Sequence, residues 1–129
     1  GKGGIGKSTV ATALCSMQAS RGKKVLFVGC DPKHDASSRL VETFPVLTAM
    51  GAISQHGERR VSVEQIVMRG RQGVDCIECG GPEPGVGCAG RGITKTFEVL
   101  ARLGFNFQAY DTVVFDVLGD VVCGGFAMP

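Results

Sequence analysis

The stretch Gly1-Lys2-Gly3-Gly4-Ile5-Gly6-Lys7-Ser8 carries the pattern G-x-x-x-x-G-K-S and runs directly into residues of helical spacing. Glycines at these places let successive backbone N–H groups curl around an anion, and the amino terminus of the following helix adds partial positive charge. A lysine at the helix start reaches the β- and γ-phosphates of a nucleotide, and the neighbouring hydroxyl can ligate Mg²⁺. On this reading Gly1, Lys2, Gly3, Gly4, Ile5, Gly6, Lys7 and Ser8 form a P-loop, with Ser8 as the Mg²⁺ ligand.

The pattern continues outward as alternating helices and strands. Val10, Ala13, Leu14 and Met17 recur at helical spacing over Lys7 to Ser20, and Arg21-Gly22 supplies a stop. Val25 to Gly29 is a continuous apolar run, as in a strand buried on both faces. A helix is expected around Leu47 to Ile53, and Ser62-Val63-Glu64-Gln65 can cap a short helix through Met68. Val74 to Glu78 reads as a short strand entering the glycine-rich loop Gly80 to Gly92. Ile93, Phe97, Leu100 and Leu103 then mark a helix ended by Gly104, and Thr112 to Phe115 is the last clear strand. The expected architecture is α/β, a mainly parallel sheet flanked by helices, with ligands at the carboxyl ends of the strands. One partial domain, residues 1–129, is expected, and Gly1 and Pro129 both fall within motifs, which points to a fragment cut at both ends.

Acidic residues complete a nucleotide switch. Asp31 ends the first apolar strand and Asp35 follows in the loop, where two carboxylates can hold Mg²⁺ or orient water. Val113-Val114-Phe115-Asp116 is an apolar strand ending in a carboxylate, as in a Walker B segment, and Asp116-Val117-Leu118-Gly119 fits D-x-x-G, whose glycine amide can sense a γ-phosphate. Asp120, beside Gly119, joins Lys2, Asp31, Asp35 and Asp116 as a candidate catalytic residue.

Glycine is over-used, 20 of 129 residues or about 16% against a usual ~7%, and it gathers around two of the six cysteines. Cys88 lies in Gly85-Val86-Gly87-Cys88-Ala89-Gly90 and Cys123 in Val122-Cys123-Gly124-Gly125. Backbone amides aimed at sulfur suit an iron–sulfur cluster. A four-iron cluster normally takes four thiolates, so a homodimer giving two from each chain satisfies the count, with one 4Fe–4S cluster per dimer. The competing pair, Cys76 and Cys79, points to opposite faces if its stretch is a strand, and zinc would want a second pair. Those two, with Cys15 and Cys30, are read as packing thiols, and His56 as solvated. Three disulfides would need a secretory context, and no signal peptide opens the chain, so a cytoplasmic setting is expected. Fourteen basic against twelve acidic residues exclude a general nucleic-acid binder or an anionic-membrane coat, and no run of about 18 apolar residues exists to span a bilayer.

Lys2, a second lysine within the P-loop, resembles the deviant Walker A of dimeric ATPases, in which that lysine reaches the partner's nucleotide. Gly1 to Ser8, Gly29-Cys30-Asp31-Pro32-Lys33, Gly80 to Gly92 and Asp116 to Pro129 together resemble the nitrogenase iron protein (nitrogenase reductase) family, in register over nearly the whole chain. The resemblance implies a homodimeric, MgATP-dependent electron donor with a bridging 4Fe–4S cluster on the residues matching Cys88 and Cys123. It also implies docking on a molybdenum–iron protein, electrons from ferredoxin or flavodoxin, and ADP-ribosylation at the residue matching Arg91. His34 and Phe97 to Phe105 lean toward the similar reductases of protochlorophyllide and chlorophyllide, whereas Pro84 to Arg91 leans back toward nitrogenase. A cluster-free partitioning ATPase shares the deviant P-loop but has no use for glycine-flanked thiols. Asp35-Ala36-Ser37-Ser38-Arg39 is one residue longer than the usual pattern, and Val41 to Gln65 matches poorly.

Overall fold

Burial follows the apolar runs. The computed structural model describes residues 5–30, 48–80 and 90–117. Helix α1 (Ile5–Ser20) leads through a tight turn, in which Gly22 and Lys23 donate to the carbonyls of Ala19 and Gln18, into strand β1 (Val25–Cys30). Val25, Leu26, Phe27 and Val28 are fully buried, so β1 lies inside the sheet with helices over both faces. Then come α2 (Ala49–His56), α3 (Val63–Ile66), β2 (Met68–Arg69), β3 (Asp75–Glu78), α4 (Gly90–Arg102) and β4 (Thr112–Val117), with 3₁₀ turns at Arg71–Gly73 and Phe107–Ala109.

The strand order is β2-β3-β1-β4. β1 pairs in parallel with both β3 and β4, and only the short β2 runs antiparallel, against β3. The expected α/β sheet is therefore present, with one correction. The helix expected through Met68 stops at Ile66, because Met68 and Arg69 pair with Cys76 and Asp75 once the turn bonded from Gly70 N–H to Val74 O reverses the chain. Gln65 does act as the expected cap partner, its Oε1 accepting from the Ser62 N–H at 2.9 Å.

Two cores lie on either side of the sheet. Cys15, Val25, Phe27, Val74 and Cys76 pack beneath α1, while Leu26, Val28, Ile77 and Cys79 pack against Ala49 and Ile53 of α2, Ile66 of α3, and Ile93, Val99 and Leu100 of α4. The face of α1 toward the sheet differs from expectation. Val10, Leu14 and Met17 are 69%, 40% and 43% exposed, and the sheet instead meets Cys15 with Ala11 and Ala19. Short side chains bring the helix axis close to strands already filled with Phe27 and valines, and the bulky row of α1 is left outward.

Phe97 on α4 meets the rings of Phe107 at 5.1 Å and Phe115 at 5.9 Å, both edge-on, which fixes α4 over β4. Gly104 ends the helix at φ +77°, and Phe105 N–H returns to Leu100 O at 3.0 Å. At the amino edge of the sheet the Lys24 N–H donates to Asp111 Oδ2 at 2.8 Å, and the Tyr110 hydroxyl donates to Asp75 Oδ2 at 2.7 Å.

Candidate functional site

Every segment singled out for chemistry attaches to one edge of the sheet. The connection from α1 to β1 is short, so α1 runs antiparallel to the strands and its first turn, Ile5 to Ser8, lies at their carboxyl edge. Cys30 and Val117 end the parallel neighbours β1 and β4 there, in register with each other. β3 ends beside them at Glu78. Residues 1–4, 31–47, 81–89 and 118–129 leave from these ends and from the start of α4 and lie outside the described residues.

Of the nucleotide-site candidates, Ile5, Gly6, Lys7 and Ser8 form the opening of α1, where orphan N–H groups and the helix dipole favour an anion. Asp116 is 4% exposed, directly beside Gly29 of β1. Gly1, Lys2, Gly3, Gly4, Asp31, Asp35, Cys88, Gly119, Asp120 and Cys123 fall outside the described residues. Arg91 is exposed in the first turn of α4, a helix that begins at Gly90, earlier than Ile93. Gly90 to Gly92 thus belong to the helix and not to the glycine-rich loop.

The exit of β3 toward Cys88 is held from both sides. Cys79 donates its N–H to Gly29 O at 2.9 Å and accepts from Met50 N–H at 3.0 Å, and Thr48 bridges to Glu78. Thr48 Oγ1 also caps α2 by accepting from Gly51 N–H at 2.9 Å. Gly80 follows at φ +71°, and a Cβ there would stand 2.9 Å from Thr48 Cβ, so both its backbone angle and its neighbour require glycine.

The Cys-x-x-Cys thiols are separated as the strand geometry demands. Cys76 packs beneath α1 and Cys79 against the opposite core, so they cannot share a metal ion. Burial pushes the Cys76 thiol up to about 12 and the Cys15 thiol up to about 11, which keeps both protonated and poor ligands near neutrality. His56 is exposed in the last turn of α2. Among the described residues no group of three or more His, Cys, Asp or Glu gathers as a metal site. Sequence reasoning passed over Glu78, a fully buried carboxylate on the same edge, because an acid within Cys-Ile-Glu-Cys matches no motif. The signal that could have found it is its place as the last residue of a buried strand.

The profile of the 4Fe-4S iron sulfur cluster binding proteins, NifH/frxC family, matches residues 1–129. The chain belongs to this family. It is 50% identical over 129 residues to a nitrogenase iron protein of Methanospirillum hungatei, covering all of this chain and 45% of that protein. A nitrogenase iron protein of Methanococcus voltae is 51% identical over 130 residues, with 46% of its length covered. Nitrogenase iron protein 3 of Clostridium pasteurianum is 47% identical over 130 residues, with 47% covered. The chain spans about half the length of these curated relatives. A crystal structure of a Corynebacterium diphtheriae protein shares the fold at TM-score 0.58 and 22% identity, over 96% of this chain and 51% of that one. Membership in the family makes the chain part of a P-loop NTPase, in agreement with the mainly parallel sheet and the helix that opens at Ile5.

Proposed function

We propose that the protein is the MgATP-dependent reductase component of a nitrogenase, a homodimer that passes electrons one at a time to a molybdenum–iron protein for nitrogen fixation. Residues 1–129 form one partial P-loop iron–sulfur ATPase domain. The observation that carries the reading is the gathering at one sheet edge of the α1 opening, the Asp116 strand and the points from which the Cys88 and Cys123 segments leave. The name shared by the relatives favours dinitrogen over a tetrapyrrole as the final target.

In this reading the amides of Gly1 to Gly6 and the amino end of α1 bind the phosphates, Lys7 neutralises the β- and γ-oxygens, and Ser8 ligates Mg²⁺. Lys2 acts across the dimer. Asp31, Asp35, Asp116 and Asp120 hold the metal's water or orient the attacking one, and the Gly119 amide reports the γ-phosphate. Cys88 and Cys123 of each chain hold one 4Fe–4S cluster, which supplies one-electron chemistry when bound. Glycine-flanked thiols fit that group, since neighbouring amides can donate to sulfur, whereas the buried Cys15, Cys76 and Cys79 do not. Ferredoxin or flavodoxin is the donor, Arg91 on its exposed turn is open to ADP-ribosylation, and the setting is cytoplasmic. Among the described residues no helix is long and apolar enough to cross a membrane.

Coupling follows from chain reach. Asp116 and Gly119 precede Cys123 by seven and four residues, so they lie within ~25 Å and ~14 Å of it even when fully extended. A rearrangement at the γ-phosphate therefore acts on the segment carrying the thiol. The direct test is cysteine replacement in the full-length protein. Cys88→Ser and Cys123→Ser are expected to lose the iron and the absorbance near 400 nm, about the region of thiolate-to-iron charge transfer. Cys79→Ser is expected to keep both, and equal iron loss at Cys79 would overturn the assignment.

A further inference from the structure

The strand register sets two buried carboxylates on one row. Glu78 of β3 and Asp116 of β4 are both partners of Gly29 on β1, and they are 0% and 4% exposed. Residues in register on parallel strands share a face. Two positions earlier on each strand stand Cys76, Phe27 and Val114, all in or against the core beneath α1, so both acids lie on the α1 side. Their Cα atoms are two strand spacings apart, about 10 Å, and the residue between them has no side chain. On this face, at this edge, lies the first turn of α1.

Glu78 also has a second connection. It is the last residue of β3, and only Cys79 and Gly80 separate it from the segment 81–89 that contains Cys88. That exit is fixed by the Cys79 bonds to Gly29 and Met50 and by Thr48 against Glu78 and Gly80. A displacement of the Glu78 backbone reaches Cys79 and Gly80 directly along the chain, where Cys79 is tied to Gly29 and Met50. Two carboxylates about 10 Å apart, with only Gly29 between them, feel a change of charge at either one. A cation that arrives or leaves at Asp116 therefore changes the force on Glu78.

We infer that Glu78 is a positioning residue that couples the nucleotide side of the sheet to the Cys88 segment, through the row Glu78, Gly29, Asp116 and the clamped exit of β3. This rests on the proposed function. It gives each of the two thiols its own strand from the nucleotide, β4 toward Cys123 and β3 toward Cys88.

The test follows iron release to 2,2′-bipyridyl from the full-length homodimer, purified anaerobically, with and without MgATP. Parent protein is expected to release iron faster with MgATP. Glu78→Gln is expected to keep the parent's iron content and nucleotide-free rate while its MgATP acceleration falls about tenfold, the scale of one unit charge acting on another about 10 Å away at an effective dielectric of ~20. Glu78→Asp keeps the charge one methylene back and is expected to lose only about two- to threefold. A parent-like response in Glu78→Gln, loss of its iron, or a defect in Glu78→Asp as large as that in Glu78→Gln would overturn the inference. Should Glu78→Gln fail to fold, a two- to threefold loss in Glu78→Asp supports the inference and an unchanged acceleration overturns it. A parent protein with iron but no MgATP effect contradicts the proposed coupling itself, which separates that failure from this one.

Discussion

Cys15 and Cys76 show what burial alone does to a reactive group. Both thiols are fully buried in the core beneath α1, and removing them from water raises their pKa from the ordinary 9.0 to about 11 and about 12. In Cys76 the nearby Cys15, Asp75 and Glu78 add to the effect. Their linkage to folding has a definite sign. A folded pKa above the unfolded one means that the native state holds its proton longer, so the contribution is whole below pH 9 and is lost as pH rises toward 11 and 12. Iodoacetamide is expected to leave Cys15 and Cys76 of the native full-length protein unlabelled at pH 8 and to label both in denaturant. Labelling of either in the native state would contradict their assignment as packing thiols.

At the scale of elements, α4 carries the contact that most needs explaining, because it joins the segment after Cys88 to the strand that ends near Asp116. Two attachments compete for that role. Glu58 pairs with Lys95 and, at 3.2 Å, with Arg102, and these side-chain hydrogen bonds, Lys95 first, lower its pKa. The pair is open to solvent, so salt screens it and its contribution is small. Phe97, half-buried between Phe107 and Phe115, removes aromatic surface from water on both sides of the α4–β4 junction. Phe97→Ala is expected to cost about 2–4 kcal/mol in urea unfolding. Glu58→Gln is expected to shift the midpoint far less, and less still at high salt. The reverse ranking would mean that the ion pairs hold α4.

The same scale shows what could be read without coordinates. Val25 to Val28 and Thr112 to Phe115 were legible as strands because continuous apolar runs have few other uses. The separation of Cys76 from Cys79 followed from the two-residue period of a strand. The inward face of α1 was not legible, because spacing marks where bulky apolar residues recur and not whether a crowded sheet has room for them. Nor was β2, since two residues carry no period. Glu78 stayed hidden because its meaning lies in register with Asp116, 38 positions along the chain, and only pairing through β1 brings the two together.

For the whole molecule the proposal is that the nucleotide and the cluster are served by segments leaving one sheet edge. The edge itself is built from β1, β3, β4 and the opening of α1, and the strands arrive there in parallel, which places the strand-end residues side by side. In the proposed reading a nucleotide that contacts Gly119 acts by its differential affinity on the same stretch of chain that carries Cys123. On that proposal the cluster's environment, and so its potential, depends on the nucleotide, because exposure and amide contacts to sulfur set that potential. The most direct measurement is a redox titration of the full-length homodimer, followed by electron paramagnetic resonance, with and without MgATP, in the parent and in Gly119→Ala. The potential is expected to shift on MgATP addition in the parent and to stay fixed in Gly119→Ala with the cluster content preserved. An identical potential with and without MgATP in the parent would contradict the account and leave the Asp116 to Cys123 segment as scaffold alone.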